Sequence, residues 1–392
     1  MDIKYNMKNN VHIYPSIMIH ESRIQKISKT ISSLKYFDNI FLLGINDGTL
    51  KKNEILEKNI IIHRLSISEK QWLKTGFYIK VINVFKLSQL TYRFLLEKKP
   101  QVIHAHNLAS LPVCVLYKLF NKTKVVYDTH EIEAKRDGWS IATQSIAKVV
   151  ESFLINFANV VVVVNDKFKE LYKEWYNIDP VRIHNAPFYN KFPKNNYLRE
   201  KFNIKNTTDI FAYVGVLDDS RGVNYYMDYA LKTDLDICFV FIGRIIENEN
   251  HIKSLASKTN KIFIHDPVPQ EKLYSILRSA DYSIQALQFS NELPINNLYG
   301  IGNKFFESAM AGLPMIGGGF LEQSKFIKKY NLGVLIQQGD KLESINNAIV
   351  KIKKMDRNLL EENCLEFFKK YNWDQESNQI RDYFNNVLLN NL

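Results

Sequence analysis

A single stretch, Tyr299-Gly-Ile-Gly-Asn-Lys-Phe-Phe-Glu-Ser-Ala-Met-Ala-Gly-Leu-Pro314, holds the residue types that could bind a nucleoside diphosphate. Two glycines lead into a helix expected to start near Asn303. Amides at a helix start, the positive end of the helix dipole and the ammonium of Lys304 together suit a diphosphate. Glu307 follows one turn later, where a carboxylate could accept hydrogen bonds from both ribose hydroxyls. The helix should end at Gly312, with the next strand beginning at once. The same residues are compatible with an ordinary capped helix in an αβ unit, and composition alone does not choose between the two. A second group is His104, His106, His130 and Glu131, each expected at the end of a strand. A third is Arg23 and Lys26, at the start of a helix after the first strand.

Those residues need elements to position them. Short apolar runs alternate with helical patterns, which points to α/β architecture with parallel sheets. Strands are expected at residues 11–14, 40–43, 60–63, 102–104, 124–127, 160–164 and 182–184. The valine run from Val160 is what a strand buried on both faces requires. The chain then turns polar around Asn185-Ala-Pro187 and Lys191-Phe-Pro193. A second alternation follows, with strands expected at 210–214, 237–242, 262–264, 282–285, 314–316 and 333–336. These observations divide the chain into residues 1–190, residues 191–372 and an amphipathic helix over 373–392. Two doubly wound domains bring the carboxyl ends of their strands toward a shared cleft, the usual ligand site in such folds.

Composition sets the outer limits. The 392 residues exceed one ordinary core, and 46% apolar against 24% charged residues describes a folded chain, not a disordered one. The net charge of +11, from 52 basic and 41 acidic residues, favours anionic company. The basic residues are scattered and carry no nucleic-acid recognition motif, so no nucleic-acid partner is expected. Three widely spaced cysteines, Cys114, Cys238 and Cys364, fit neither a disulfide framework nor a metal-ligand spacing. No apolar run approaches the length of a membrane span. A cytoplasmic protein is expected, with any membrane contact peripheral and on the inner face of the cell membrane.

Five stretches, in order, carry a family resemblance. Asn303-Lys-Phe-Phe-Glu307-Ser-Ala-Met-Ala-Gly-Leu-Pro314 resembles the nucleotide-sugar signature of GT-B glycosyltransferases, in particular the retaining family 4. Val102-Ile-His-Ala-His-Asn107 and Val125-Val-Tyr-Asp-Thr-His-Glu131 are similar to two N-domain strands of that family. Tyr213-Val-Gly-Val-Leu-Asp-Asp-Ser-Arg-Gly222 resembles the loop that opens its C-terminal domain. His265-Asp-Pro-Val-Pro-Gln-Glu-Lys-Leu273 resembles the segment that holds the base.

The resemblance implies a GT-B fold, with two Rossmann-like doubly wound parallel-sheet domains and a cleft between them. It implies a glycosyltransferase that moves a sugar, with retention, from a UDP-sugar to a hydroxyl of a saccharide or lipid-linked saccharide, in bacterial surface polysaccharide synthesis. No cofactor and no metal are expected. His130 would stand beside the donor sugar, Arg221 and Lys304 would neutralise the diphosphate, and Asn303 would add its helix-start amide. Glu307 would hold the ribose, backbone groups near Val268 would read the base, and Gly215 would permit close approach. Arg23, Lys26, His106 and Glu131 are the acceptor-side candidates. No side chain is well placed to be a nucleophile, which favours front-face attack assisted by the leaving phosphate.

Two positions depart from the family pattern: Tyr299 replaces a glutamate eight residues before Glu307, and Val216 replaces an arginine after Gly215. They keep open a catalytically silent partner subunit, and a nucleotide-sugar epimerase of the same two-domain fold is a separate alternative. Asp218-Asp219 is read as turn chemistry.

The segment between Gln71 and Lys99 suggests a helix. Phe77, Val81, Val84, Phe85, Tyr92, Leu95 and Leu96 are expected to pack on the sheet. The opposite face mixes Lys80, Lys86 and Arg93 with Ile79, Leu87, Leu90 and Phe94. A face both apolar and cationic is what an interfacial helix presents to an anionic membrane surface. The duller alternative is a buried helix with lysine stems reaching past its neighbours.

Overall fold

In the computed structural model, which describes residues 7–68, 77–287, 294–337 and 339–388, the chain forms two compact units. One comprises Met1–His184 with Glu376–Leu392, the other Asn185–Gln375.

The first unit is built on an eight-stranded sheet of order β3-β4-β2-β1-β5-β6-β7-β8. Its strands are β1 (Asn9–Ile13), β2 (Asn39–Asn46), β3 (Asn53–Glu57), β4 (Ile60–Ser68), β5 (Val102–Ala105), β6 (Lys124–Asp128), β7 (Val160–Val163) and β8 (Val181–Arg182). All pairings are parallel except β3 with β4. The helices are α1 (Ser22–Ser33), α2 (Phe77–Lys98), α3 (Leu111–Phe120), α4 (Ile141–Leu154) and α5 (Asp166–Tyr176). Local chemistry fixes their ends. Ser140 Oγ accepts the amide of Thr143 to start α4, and Asn165 Oδ1 accepts that of Phe168 to start α5. Asn177, at φ +53°, closes α5 in the left-handed conformation that asparagine tolerates.

Sequence order along the sheet reverses between β1 and β5. At such a reversal the crossovers leave in opposite directions and open a crevice at the strand carboxyl ends. The functional side chains of this unit gather there. The last stretch of the chain is part of this unit too. Glu376 accepts hydrogen bonds from Arg182 Nη1 at 2.6 Å and from the His184 amide at 2.9 Å. Ile380, Phe384 and Leu388 are fully buried.

The second unit has a six-stranded, all-parallel sheet of order β11-β10-β9-β12-β13-β14, with its reversal between β9 and β12. The strands are β9 (Asp209–Val214), β10 (Ile237–Ile242), β11 (Ile262–His265), β12 (Tyr282–Ile284), β13 (Met315–Gly317) and β14 (Gly333–Leu335). The helices are α6 (Tyr197–Phe202), α7 (Val223–Lys232), α8 (Glu249–Ser257), α9 (Gln270–Leu277), α10 (Ile295–Tyr299), α11 (Asn303–Met310), α12 (Leu321–Tyr330), α13 (Lys341–Lys353) and α14 (Arg357–Lys370). The helix α15 (Trp373–Tyr383) begins in this unit with a fully buried tryptophan and continues into the first. Phe211, Phe239 and Tyr226 meet in one aromatic core on the sheet.

Two expectations are corrected. The strand β3 was not foreseen, because Asn53–Glu57 is a mostly exposed antiparallel edge with no apolar run to announce it. On α2 the buried face is a different one. Phe94, expected on the mixed outer face, is buried edge-on against Phe41 of β2, whereas Val84, Phe85 and Leu96 are exposed. The helix is apolar on all sides, so spacing alone does not mark its inner face. Residues 71–76, and the side chains of Phe77, Ile79, Lys80 and Val81, lie outside the described ones.

Candidate active site

In the first unit, parallel registry sets His12 of β1 directly beside His104 of β5. Side chains at paired positions share a face, and the two rings stack with centroids 4.2 Å apart. One step beyond β5, His106 donates its backbone N–H to Ile13 O and brings its own ring to the group. The strand β6 ends at Asp128, and His130 follows two residues on.

Asp128 is the hub of this cluster. Arg23, on α1, grips it with Nη2 at 2.7 Å and Nε at 3.1 Å, and its Nη1 donates to Ile183 O. Burial would push the Asp128 carboxyl up, but the Arg23 guanidinium and hydrogen bonds from His106 and His130 hold it well below the usual carboxylate range. A carboxylate can only accept, so His106 Nδ1, 3.0 Å from Oδ2, must carry a proton toward it. His130 Nε2 stands 3.3 Å from the same oxygen and 3.2 Å from His106 Nδ1, so it can donate to the one or accept from the other. Burial, against the pull of Asp128, lowers His106 to about 4 and keeps it neutral, so its Nε2 is an acceptor. His12 Nδ1, 2.8 Å away, then donates to it. Each tautomer is thus fixed by the one before, from the ionised Asp128 outward.

Ligand atoms of His12, His104 and His106 lie within 4.8 Å of one another, as do those of His106, Asp128 and His130. The first trio stacks with ring planes 15–17° apart, and its closest nitrogens, His12 Nδ1 and His106 Nε2, are already joined by a hydrogen bond. In the second, a metal would have to displace the proton that His106 gives to Asp128. The arrangement is a hydrogen-bonded relay.

Of the acceptor-side candidates, Arg23 and His106 belong to this relay and are buried, and Lys26 is buried on the same helix. Glu131 is about half exposed, 3.4 Å from Arg136 Nε. Asp128 and His12 are central to the cluster, yet sequence reading singled out neither. The available signal was Asp128 in the quoted Asp-Thr-His run, whereas His12 is tied in only by strand registry.

In the second unit, β9 leads into Gly215 at φ +144°, in the region that favours glycine. A Cβ there would stand 1.8 Å from Lys304 Nζ, so the missing side chain is what makes room for the ammonium. Lys304 stands on the first turn of α11, whose cap residue Gly302 offers no side chain to the helix-start amides. Burial, then the nearby Arg221, lowers Lys304 to about 8, against the opposing pull of Glu307 and Asp218. Its anionic neighbours, Glu307 and Asp218, do not outweigh burial and Arg221. Arg221 is exposed in the turn Asp219–Arg221.

Glu307, one turn along α11, is buried and accepts a hydrogen bond from Gln270 Nε2 at 3.3 Å. Asn303 accepts one from Asn185. Val268 is partly buried between β11 and α9. Lys304, Gly215, Arg221, Asn303 and Glu307 thus collect around the carboxyl end of β9 and the start of α11. The carboxylate of Asp218 caps the Arg221 turn and Asp219 bonds Asn248, which is turn chemistry. Val216 accepts the Tyr213 hydroxyl through its carbonyl, and Tyr299 closes α10 half-buried.

Comparison with known proteins agrees with this architecture. Residues 54–187 match the model of Glycosyltransferase Family 4. No curated protein sequence matches the chain. Among solved structures, sucrose-phosphate synthase from Thermosynechococcus elongatus superposes with TM-score 0.74 at 14% identity, covering 96% of this chain and 98% of that one. A glycosyltransferase from Rickettsia africae gives 0.72 at 16% identity over 98% and 100%. HepE of Anabaena, in complex with UDP and glucose, gives 0.69 at 14% over 97% and 99%. The two parallel-sheet units are those of the GT-B fold, and the chain is glycosyltransferase family 4-like over residues 54–187.

Proposed function

We propose that the protein transfers a sugar from a nucleoside diphosphate sugar, with UDP as the carrier, to a hydroxyl of a saccharide or lipid-linked saccharide. The observation that carries this reading is Lys304, buried beside Arg221 at an uncapped helix start, with room made for it by Gly215 and with Glu307 and Asp218 too weak to offset its burial. A diphosphate supplies the charge this lysine lacks. Breaking a glycosyl–phosphate bond builds negative charge on the leaving group, and fixed cations stabilise that charge more in the transition state than in the ground state. Lys304 and Arg221 take this role with the amides at Asn303. Glu307 holds the ribose and the backbone near Val268 reads the base.

His130, with Nε2 turned to Asp128 and His106, offers Nδ1 to a sugar hydroxyl. Arg23 and His106 keep Asp128 ionised and the histidine oriented. Lys26 and Glu131 remain candidates on the acceptor side. The transfer proceeds with retention, by front-face attack with the leaving phosphate as the base. It draws its electrostatic stabilisation from the chain's own cations, without a metal. Surface polysaccharide assembly in a bacterium is the setting we infer, from the lysine- and asparagine-rich composition. HepE, of the same fold, has been solved with UDP and glucose, and this supports UDP as the carrier here.

The test is a variant series with donor binding and turnover measured separately. Lys304→Ala and Glu307→Ala should each weaken UDP binding by about tenfold or more, as loss of a charge-assisted hydrogen bond implies. His130→Ala should lower turnover with little change in donor affinity, and EDTA should leave the rate unaltered. Wild-type binding and rates in all three variants would remove the site assignment.

A further inference from the structure

The helices α3 and α4 are apolar on two sides. Their inner faces are buried in the first unit through Val113, Cys114 and Tyr117 on α3 and Ala147 on α4. Their outer faces should then be polar, as on any helix at a water boundary. They are not. On α4, Ile146, Val149 and Phe153 form an i, i+3, i+7 stripe with 65%, 69% and 65% of their surface exposed. On α3, Leu116, Leu119 and Phe120 repeat the pattern at i, i+3 and i+4. The helices pack side by side, and α2 lies on the other flank of α3 and adds the exposed Phe85. Singly exposed apolar residues are ordinary, but a continuous patch across neighbouring helices marks a surface that meets something else.

Charge indicates what that is. Neither α3 nor α4 places a carboxylate on this face. The one acid in α4, Glu151, points inward, where the hydroxyls of Tyr127, Tyr172 and Tyr176 donate to it. Around the patch stand the exposed Lys86 and Arg93 of α2 and Lys122 just after α3, while the part-exposed Lys148 of α4 lies over the Trp175 ring on its other flank. Trp139, at the entry to α4, is 37% exposed and of the type that settles at a membrane–water boundary. An apolar centre with a cationic fringe fits an interface of hydrocarbon bordered by phosphates. A second copy of this chain fits less well, because a two-fold contact would set the cationic fringe against itself.

We propose that the outer faces of α3 and α4 dock the protein on an anionic lipid bilayer. The apolar stripes sink to the level of the headgroups, and Lys86, Arg93 and Lys122 engage lipid phosphates. The docking surface is centred on α3 and α4, with α2 at its edge. The inference stands independently of the transfer chemistry, since none of these side chains belongs to the proposed site.

The test is co-sedimentation of the full chain with vesicles of phosphatidylglycerol and phosphatidylcholine, beside vesicles of phosphatidylcholine alone. Binding should require the anionic lipid and weaken as salt rises. The doubly substituted Val149→Glu, Phe153→Glu protein should bind about tenfold or more weakly, since it loses buried apolar area and adds repelled charge. The variant Lys86→Glu, Arg93→Glu should lose the dependence on salt and anionic lipid while keeping the wild-type melting temperature. Equal pelleting with and without anionic lipid, or unchanged binding by folded variants, would overturn the proposal. So would a dimer in light scattering that Val149→Glu, Phe153→Glu dissolves while vesicle binding is absent. UDP binding, measured on the same samples, reports on the donor site separately.

Discussion

Asp128→Ala should cost far more stability than removal of one hydrogen-bonding residue. Asp128 is 1% exposed, and Arg23, 4% exposed, directs three contacts at its two oxygens. Without the carboxylate the guanidinium remains buried with the Ile183 carbonyl as its remaining hydrogen-bond partner. The His106 proton loses its acceptor as well. Stranding one member of a buried ion pair costs about 3–5 kcal/mol. At roughly 2–4 °C per kcal/mol for a unit of this size, the melting temperature should fall by about 6–20 °C. The partner substitution separates charge from packing. In Arg23→Met with Asp128→Leu no charge is left stranded, so the double variant should be destabilised by less than the sum of the single ones, with coupling of about 2 kcal/mol or more. Scanning calorimetry on the wild-type chain, Asp128→Ala, the two single variants of the cycle and the double variant gives every quantity needed. A loss below about 1 kcal/mol for Asp128→Ala, or strict additivity in the cycle, would refute the claim that this pair anchors the cluster.

Gly215→Ala should abolish detectable UDP binding while the chain stays folded, because the new Cβ would meet Lys304 Nζ at 1.8 Å and glycine's φ of +144° would be strained. Titration calorimetry would show this, and unchanged affinity would separate Gly215 from the lysine. Stability should also fall as pH drops from 6.5 toward 4. His106 is lowered to about 4 by burial, so the unfolded chain takes up its proton first, and about 3 kcal/mol is lost across that window. His12 and His104 are shifted the same way by burial. Glu133, raised to about 7 by burial, acts oppositely: its contribution is full below 4.5 and lost as pH rises through 7, so it offsets one histidine of the three. His104→Leu, which removes two buried ring nitrogens that have no hydrogen-bond partner, should flatten the pH dependence and raise the melting temperature. An unchanged pH slope in that variant would count against the buried histidines as its source.

Much of the fold can be read from the sequence because strands buried on both faces must be apolar runs, such as Val160–Val163 and Ile237–Ile242. The donor-side residues are legible for a different reason. Gly302, Asn303, Lys304 and Glu307 sit within two turns of one helix, so spacing along the chain already states their spacing in space. The histidine relay is not legible in this way. Its members come from β1, α1, β5 and β6, and strand registry, invisible in a linear reading, brings His12 to His104 and His106. Arg23 was legible only as an acceptor-side candidate at a helix start, and its pairing with Asp128, 105 residues on, was not. The outer faces of α3 and α4 were missed because exposed and buried valines read alike. In Ile141–Leu154 the apolar residues gather on one side as on a core helix, yet Ile146, Val149 and Phe153 on that side are exposed.

The central claim is that the second unit binds a nucleoside diphosphate through Lys304 and Glu307. Its most direct test is a thermal-shift panel of UDP, GDP, CDP and ADP against the wild-type chain and Glu307→Ala. The account predicts a clear rise in melting temperature with UDP, absent or much reduced in the variant. No shift with any of the four nucleotides, or a shift that Glu307→Ala leaves intact, would contradict it.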